Sequence, residues 1–297
     1  MSHSSTSIVA PYVIMGITGQ VGGTAARTLL AAGAPVRAVV RSLEKGRPWA
    51  DQGCEVAVAE VTDPEALTTA FTGAAGVFLM MPPDYDPEPG FPKIQKIIAA
   101  VTIAVEKARP AKLVFLSTVG AQVAEPNLLN NSRLMEVGLR KLPVPVAFLR
   151  AAWFMENASW DVESAQAGVI HSFLQPFDHP IPMVSAEDIG RTVSDLLREA
   201  WTGTRVVELQ APLRYSASDI AAAFATALGH PVRLESVPRD TWETLFRAQG
   251  MKNPQPRIRM LDGFNEGWID FEGGTAESRQ GSLPLEAVIQ KLIARRS

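Results

Sequence analysis

A chain of 297 residues can form one large domain or two modest ones sharing a cleft. With 46% hydrophobic and 20% charged residues and a formal net charge of -3, it has the profile of an ordinary globular protein and gives no reason to expect nucleic acid as a main partner. A single cysteine, Cys54, excludes an internal disulfide and a thiolate zinc site, and no run of ~18 apolar residues predicts a membrane span.

The chain opens on MSHSSTSIVAP, which lacks the basic and apolar regions of a secretory signal and reads as a short loose arm. The default location is therefore cytoplasmic. Strand-length apolar runs follow at residues 12–17, 36–40, 55–58, 77–80, 112–117 and 146–150. They are nearly continuous in Val, Ile, Leu, Phe and Met, which suits parallel strands covered on both faces. Helical segments lie between them. One spans 21–32 and stops at Gly33. Another follows Asp63, a good N-cap, with Pro64 at the first helical position, and a third spans about 92–108. This alternation predicts a Rossmann-like, doubly wound α/β sheet.

The later half is more mixed. Residues 186–200, 218–228 and 239–249 read as helices, with Ser216 and Asp219 as a capping pair, and 205–210 and 232–237 as strands. The expected division is a nucleotide-binding domain over 1–152 and a smaller mixed α/β substrate region over 153–297, some of which returns to the first sheet. The proline-dense loop 81–90, MPPDYDPEPG, follows the fourth strand and should lie at the carboxyl edge, where ligands bind.

The first strand runs into Gly16, Thr18, Gly19, Gln20, Val21 and Gly22. A strand that turns sharply into a helix, whose free N–H groups face a diphosphate, needs glycines at this spacing. The segment therefore predicts a dinucleotide; an ordinary strand–turn–helix or a methyltransferase also uses such a turn. At the tip of the second strand, where NAD sites place an acid, stands Arg41, with Lys45 and Arg47 close behind. A cation there suits a 2′-phosphate and predicts NADP(H). Lys45 and Arg47 also read as part of a solvated loop. Glu60, followed by Val61 at the tip of the third strand, can accept from an adenine amino group or be a surface acid.

GITGQVGG (16–23), VVRS (39–42), LSTVGA (116–121), FLRAAWFMENAS (148–159), VSAEDIGRTVSDLL (184–197) and the late YSASDIAAAFATALGHPVRLESVP (215–238) together resemble the NmrA-like group of atypical short-chain dehydrogenases/reductases. That group is akin to isoflavone-type, quinone and triphenylmethane dye reductases. The resemblance runs in order along nearly the whole chain. It implies that the glycine loop and Arg41 hold NADPH. It implies further that Met80, Met81, Pro82, Ser117 and Thr118 lie beside the ribose and nicotinamide, that Ala152, Trp153 and Phe154 approach the nicotinamide, and that Asn157 orders that last loop.

The stretch NLLNNSRLME (127–136) departs from the pattern. Relatives often carry Lys or His about four residues before a Glu, where this chain has Ser132 followed by Arg133. None of the three tyrosines, Tyr12, Tyr85 and Tyr215, sits four before a Lys, so the usual Tyr/Lys proton relay is missing. A conjugated acceptor such as a quinone spreads the incoming charge and takes its proton from solvent, so it needs a flat apolar slot more than a strong acid. Candidates for lining that slot are Met80, Met81, Tyr85, Trp153, Phe154, Met155, Phe173 and Phe177. Ser117, Thr118, Ser132 and Arg133 are candidate polar helpers or plain structural residues, and His171 and His179 are further proton donors or plain loop histidines. The four histidines have no metal spacing. The expected function is an NADPH-dependent oxidoreductase of small conjugated acceptors; the alternative is a non-catalytic NADP(H)-binding sensor or regulator acting through a protein partner. Oligomeric state is not legible.

Overall fold

The apolar runs of the first half form β1 (Tyr12–Ile14), β2 (Val36–Val40), β3 (Glu55–Val58), β4 (Gly76–Leu79), β5 (Leu113–Thr118) and β6 (Val146–Ala151) of a computed structural model that describes residues 9–295. The arm read at the start of the chain lies largely outside the described residues. Between the strands run α1 (Gln20–Ala31), α2 (Leu43–Ala50), α3 (Pro64–Phe71), α4 (Pro92–Ala108) and α5 (Asn130–Leu139). The second half adds β7 (Trp153–Phe154), a 3-10 turn over Met155–Trp160, α6 (Val162–Gln166), β8 (Val169–Ser172), β9 (Met183–Val184) and α7 (Ala186–Arg198). Then come β10 (Thr204–Gln210), α8 (Ala217–Leu228), β11 (Arg233–Ser236), α9 (Trp242–Ala248), α10 (Gln255–Glu266), β12 (Glu277–Gln280) and α11 (Leu285–Ala294).

Eight strands make one sheet in the order β12-β10-β6-β5-β4-β1-β2-β3, and every pair in it is parallel. The chain winds outward from β1 to β3, then crosses back to place β4 on the other side of β1. Ile14 is thus in register with Ala38 on one side and Phe78 on the other. That reversal opens a crevice at the carboxyl ends of β1 and β4, the usual ligand position in such sheets. Helices cover both faces, which is why the inner strand runs are largely apolar. Val21, Ala25, Leu29, Ile189 and Val193 of α1 and α7 pack on one face. Leu67, Phe71, Ile97, Val101, Met135 and Leu139 of α3, α4 and α5 pack on the other. Cys54 is buried among the first set.

Three sequence readings change. The run 55–58 is an edge strand, not a doubly covered one, and Val58 is 45% exposed. Lys45 and Arg47 stand on the helix α2 rather than in a loop; Gly46 lets that helix press on Val56, and Trp49 anchors it in the core. The helix expected over 239–249 begins as a separate 3-10 turn, Arg239–Thr241. The caps fall as read. Asp63 accepts from the N–H groups of Glu65 and Ala66, and Ser216 and Asp219 form a reciprocal box.

From the second half, β10 and β12 extend the sheet beyond β6, and α7 lies against α1. Gly190 makes the helix contact close: a Cβ there would stand 2.6 Å from the Thr24 Cβ and 2.7 Å from the Val21 carbonyl oxygen. The remaining elements build further cores around Phe224, Phe264, Trp242 and Phe246, with β8 and β11 as a small parallel pair. Among the described residues no helix is long and apolar enough to cross a membrane.

Candidate functional site

The loop from β1 into α1 is shaped by backbone contacts that only glycine permits. Gly16 has φ 63°, and the Met80 sulfur occupies the place where its Cβ would be. At Gly22 a Cβ would come within 2.4 Å of the Gly16 carbonyl oxygen, so the helix start lies directly on the turn. Gly19 is the N-cap and offers no side-chain acceptor, and the first turn of α1 holds no acid. The N–H groups of Gln20, Val21 and Gly22 find no acceptor among the described residues. Unpaired N–H groups and the positive end of the helix dipole suit this mouth to an anion. Arg41 projects, exposed, from the end of β2, and Lys45 is exposed on α2; neither has an ion-pair partner among the described residues. Glu60 is exposed and Val61 half-buried just past β3.

Beyond the crevice a cleft of ≈ 780 Å³ opens between the ends of β5 and β6 and the second half of the chain. Met81, Pro82 and Tyr85 of the proline loop line one side, and Ser117, Thr118 and Ser132 the floor. Ala152, Trp153, Phe154, Asn157 and Phe173 line the rest. Rings set the walls: Trp153 meets Phe264 edge-on at 5.0 Å, and Phe173 stacks on Phe246 at 5.3 Å. Other expected residues lie elsewhere. Met80 sits on Gly16 rather than in the cleft lining. Met155 is 1% exposed in the core, and Phe177 packs against the same cluster, because both fall on turns that face α8 and α11 rather than the crevice. Arg133 is exposed on α5, one position around from Ser132 and so aimed away. His179 is outside the lining, and His171 reaches its rim with Nδ1 3.7 Å from Glu235.

Under the floor lies an ion network. Arg150, 3% exposed, donates from Nε and Nη2 to the two oxygens of Glu136, both at 2.9 Å, and from Nη1 to Glu272 at 2.5 Å. Ser117 Oγ donates to Glu136 at 2.6 Å. Burial pushes the Glu136 carboxyl up, but bonds from Arg150 and Ser117 outweigh it and hold the group below its ordinary range. The Ser117 proton is therefore committed to Glu136, while the Thr118 hydroxyl has no partner among the described residues. Asn157 makes no side-chain bond there either. The neighbouring Glu156 orders that turn, its carboxylate accepting from the Ala186 N–H just inside the N-terminus of α7.

Among the lining residues that sequence reasoning missed are Trp160, Asp161 and Arg257, since no spacing marked them. Burial raises the Asp161 carboxyl to about 6, with no cation to offset it. The Arg257 guanidinium lies over Trp160 at 5.9 Å and Phe246 at 4.5 Å. Asp86, on the proline loop, accepts from the N–H groups of Lys252 and Asn253 and so ties that loop across the cleft mouth. Among the described residues no group of three or more His, Cys, Asp or Glu is placed to hold a metal ion.

The profile of the NmrA-like family matches residues 11–268. The (4-alkanoyl-5-oxo-2,5-dihydrofuran-3-yl)methyl phosphate reductase of Streptomyces griseus subsp. griseus is 29% identical over 247 residues, 82% of either chain. The NAD(P)H azoreductase of Xenophilus azovorans is 24% identical over 249 residues, 80% of this chain and 81% of that one. In fold the chain is similar to the triphenylmethane reductase of Citrobacter sp., with a TM-score of 0.79 and 20% identity over 96% of this chain and 99% of that one.

Proposed function

The chain belongs to the NmrA-like family, and on that premise we propose that it is an NADPH-dependent oxidoreductase that reduces a small conjugated acceptor. The observation that carries this reading is continuity along one sheet edge. The uncapped mouth of α1, the unpaired Arg41 and the apolar cleft follow one another across the ends of β1, β2, β4, β5 and β6. Such a track fits a dinucleotide with an acceptor at its far end. That two relatives are reductases, one of them using NAD(P)H, supports the class.

Gln20, Val21 and Gly22 donate to the diphosphate, and Gly16, Thr18 and Gly19 keep the turn low enough for it to approach. Arg41, helped by Lys45, takes the 2′-phosphate; Glu60 and Val61 border the adenine. Met80, Met81, Pro82, Thr118 and Ala152 border the nicotinamide ribose end. The bound cofactor supplies a hydride from its nicotinamide. The chain's part is to hold a flat acceptor in the slot of Tyr85, Trp153, Phe154 and Phe173 and to exclude water from it. Thr118 donates to the acceptor oxygen. Asp161, raised by burial to about 6, is a cleft carboxyl able to carry a proton near neutral pH.

The test is loss of NADPH absorbance against a panel of quinones, with NADH in parallel. Turnover with at least ~10-fold preference for NADPH in kcat/KM is expected from a charge-assisted contact at Arg41. Calorimetric binding of NADPH without turnover of any acceptor would overturn the enzyme reading in favour of a cofactor-binding sensor. Binding of neither coenzyme would overturn both.

A further inference from the structure

Arg257 is the one Lys or Arg side chain lining the cleft, and it has no carboxylate partner among the described residues. Its contacts are the faces of Trp160 and Phe246 and the Met251 sulfur at 3.8 Å. Burial lowers its pKa, but a guanidinium remains charged regardless. It also stands in the first turn of α10, where the helix dipole disfavours a cation. Two acids nearby are otherwise engaged. Asp84 pairs with Lys93, and Asp86 takes two backbone N–H groups. Burial raises the Asp161 carboxyl to about 6, and it makes no ion pair with Arg257. A half-buried, forked donor placed over two rings at the wall of an apolar cleft is therefore left for a ligand.

Resting on the acceptor cleft proposed above, we infer that Arg257 anchors an acidic group of the acceptor, so that the substrate is an anionic conjugated molecule bearing a carboxylate, sulfonate or phosphate. The rings of Trp160, Tyr85 and Phe173 take its flat body, and the fork of Arg257 takes its charge. The same cation disfavours cationic dyes in this cleft.

The probe pair is 1,4-naphthoquinone-2-sulfonate and neutral 2-methyl-1,4-naphthoquinone, each reduced with NADPH by the full chain. The protein should prefer the sulfonate, and Arg257→Gln should reduce that preference in kcat/KM about 10–100-fold, through KM. Arg257→Lys, which keeps the charge and loses the fork, should retain part of it. A clamp that merely holds the rings would lower both acceptors together, and an unchanged ratio in Arg257→Gln overturns the inference. Should the protein reduce neither quinone, the reductase reading fails on its own. Calorimetry with naphthalene-2-sulfonate on the NADPH-mixed protein then decides the anchor: uptake that disappears in Arg257→Gln supports it, and no uptake by the unaltered protein refutes it.

Discussion

Replacing Glu136 by Gln tests the buried network beneath the cleft. The carboxylate is 3% exposed and accepts from Arg150 twice, from Ser117, and from Arg140 at 3.2 Å. Glutamine keeps the shape but turns one oxygen into an amide donor that faces an arginine donor. Arg150 then keeps Glu272, whose side chain is 53% exposed, and Glu208 at 3.9 Å. Breaking one side of a buried pair costs about 3–5 kcal/mol. The two surviving acids place this case near the lower end, at about 3 kcal/mol. With a urea slope of roughly 3 kcal/mol/M, the unfolding midpoint followed by tryptophan fluorescence should fall by about 1 M. Adding Arg150→Met to Glu136→Gln removes the stranded charge and should restore more than half of the loss. A single-mutant loss below about 1 kcal/mol, or a double mutant weaker than the single, would refute the reasoning. The pH sign is fixed as well. The folded carboxyl titrates below its ordinary value of 4.5, so its contribution is present above that pH and disappears as acid takes the protein through the lowered value. Glu136→Gln should lack this acid-side loss.

Asp161 has the opposite sign. Its folded carboxyl lies near 6 against an ordinary 3.8, so the protein should lose stability as pH rises from about 4 to 6. Asp161→Asn should abolish that slope and, above pH 6, stabilise by about 1–3 kcal/mol, the upper figure discounted for partial exposure; thermal melts across this range would show a flat profile. Gly22→Ala places a Cβ 2.4 Å from a carbonyl oxygen that cannot swing away, so it should cost about 1–3 kcal/mol and raise the NADPH Kd more than ~10-fold by calorimetry. Arg41→Ala should weaken NADPH about 10–100-fold and leave NADH within about two-fold, measured by the same titration; equal losses for both would show that Arg41 does not read the 2′-phosphate.

Much of the sheet was legible because its inner strands are buried on both faces, which forces runs such as Gly76–Leu79 to be apolar throughout. The glycine loop was legible because Gly22 meets a constraint that no other residue satisfies. β12 was not: Glu277–Gln280 reads ESRQ, without an apolar residue. It is a strand through its neighbour, with Arg205 and Arg279 each bridging Glu199 and Glu277 around it. α2 was hidden by Gly46 and Pro48, which mark breaks unless the packing on Val56 is known. In the cleft, the aromatics flanking Ala152 stood out in sequence. Ser117 looked like a free hydroxyl because its partner Glu136 is brought to it by the crossover helix, and Arg257 looked like any helix-surface arginine. Those assignments depend on long-range contacts, which one-dimensional spacing does not encode.

The late arrival of β12 has a consequence for how the protein is made. Its neighbour β10 is complete at residue 210, but residues 277–280 that cover it emerge from the ribosome only after α8, β11, α9 and α10. At about 5–20 residues per second, the nascent chain presents an open strand edge for several seconds. Translation pauses or truncations inside that interval should leave a species that sticks to its own kind, and chaperone demand should peak there rather than during synthesis of β1 to β6.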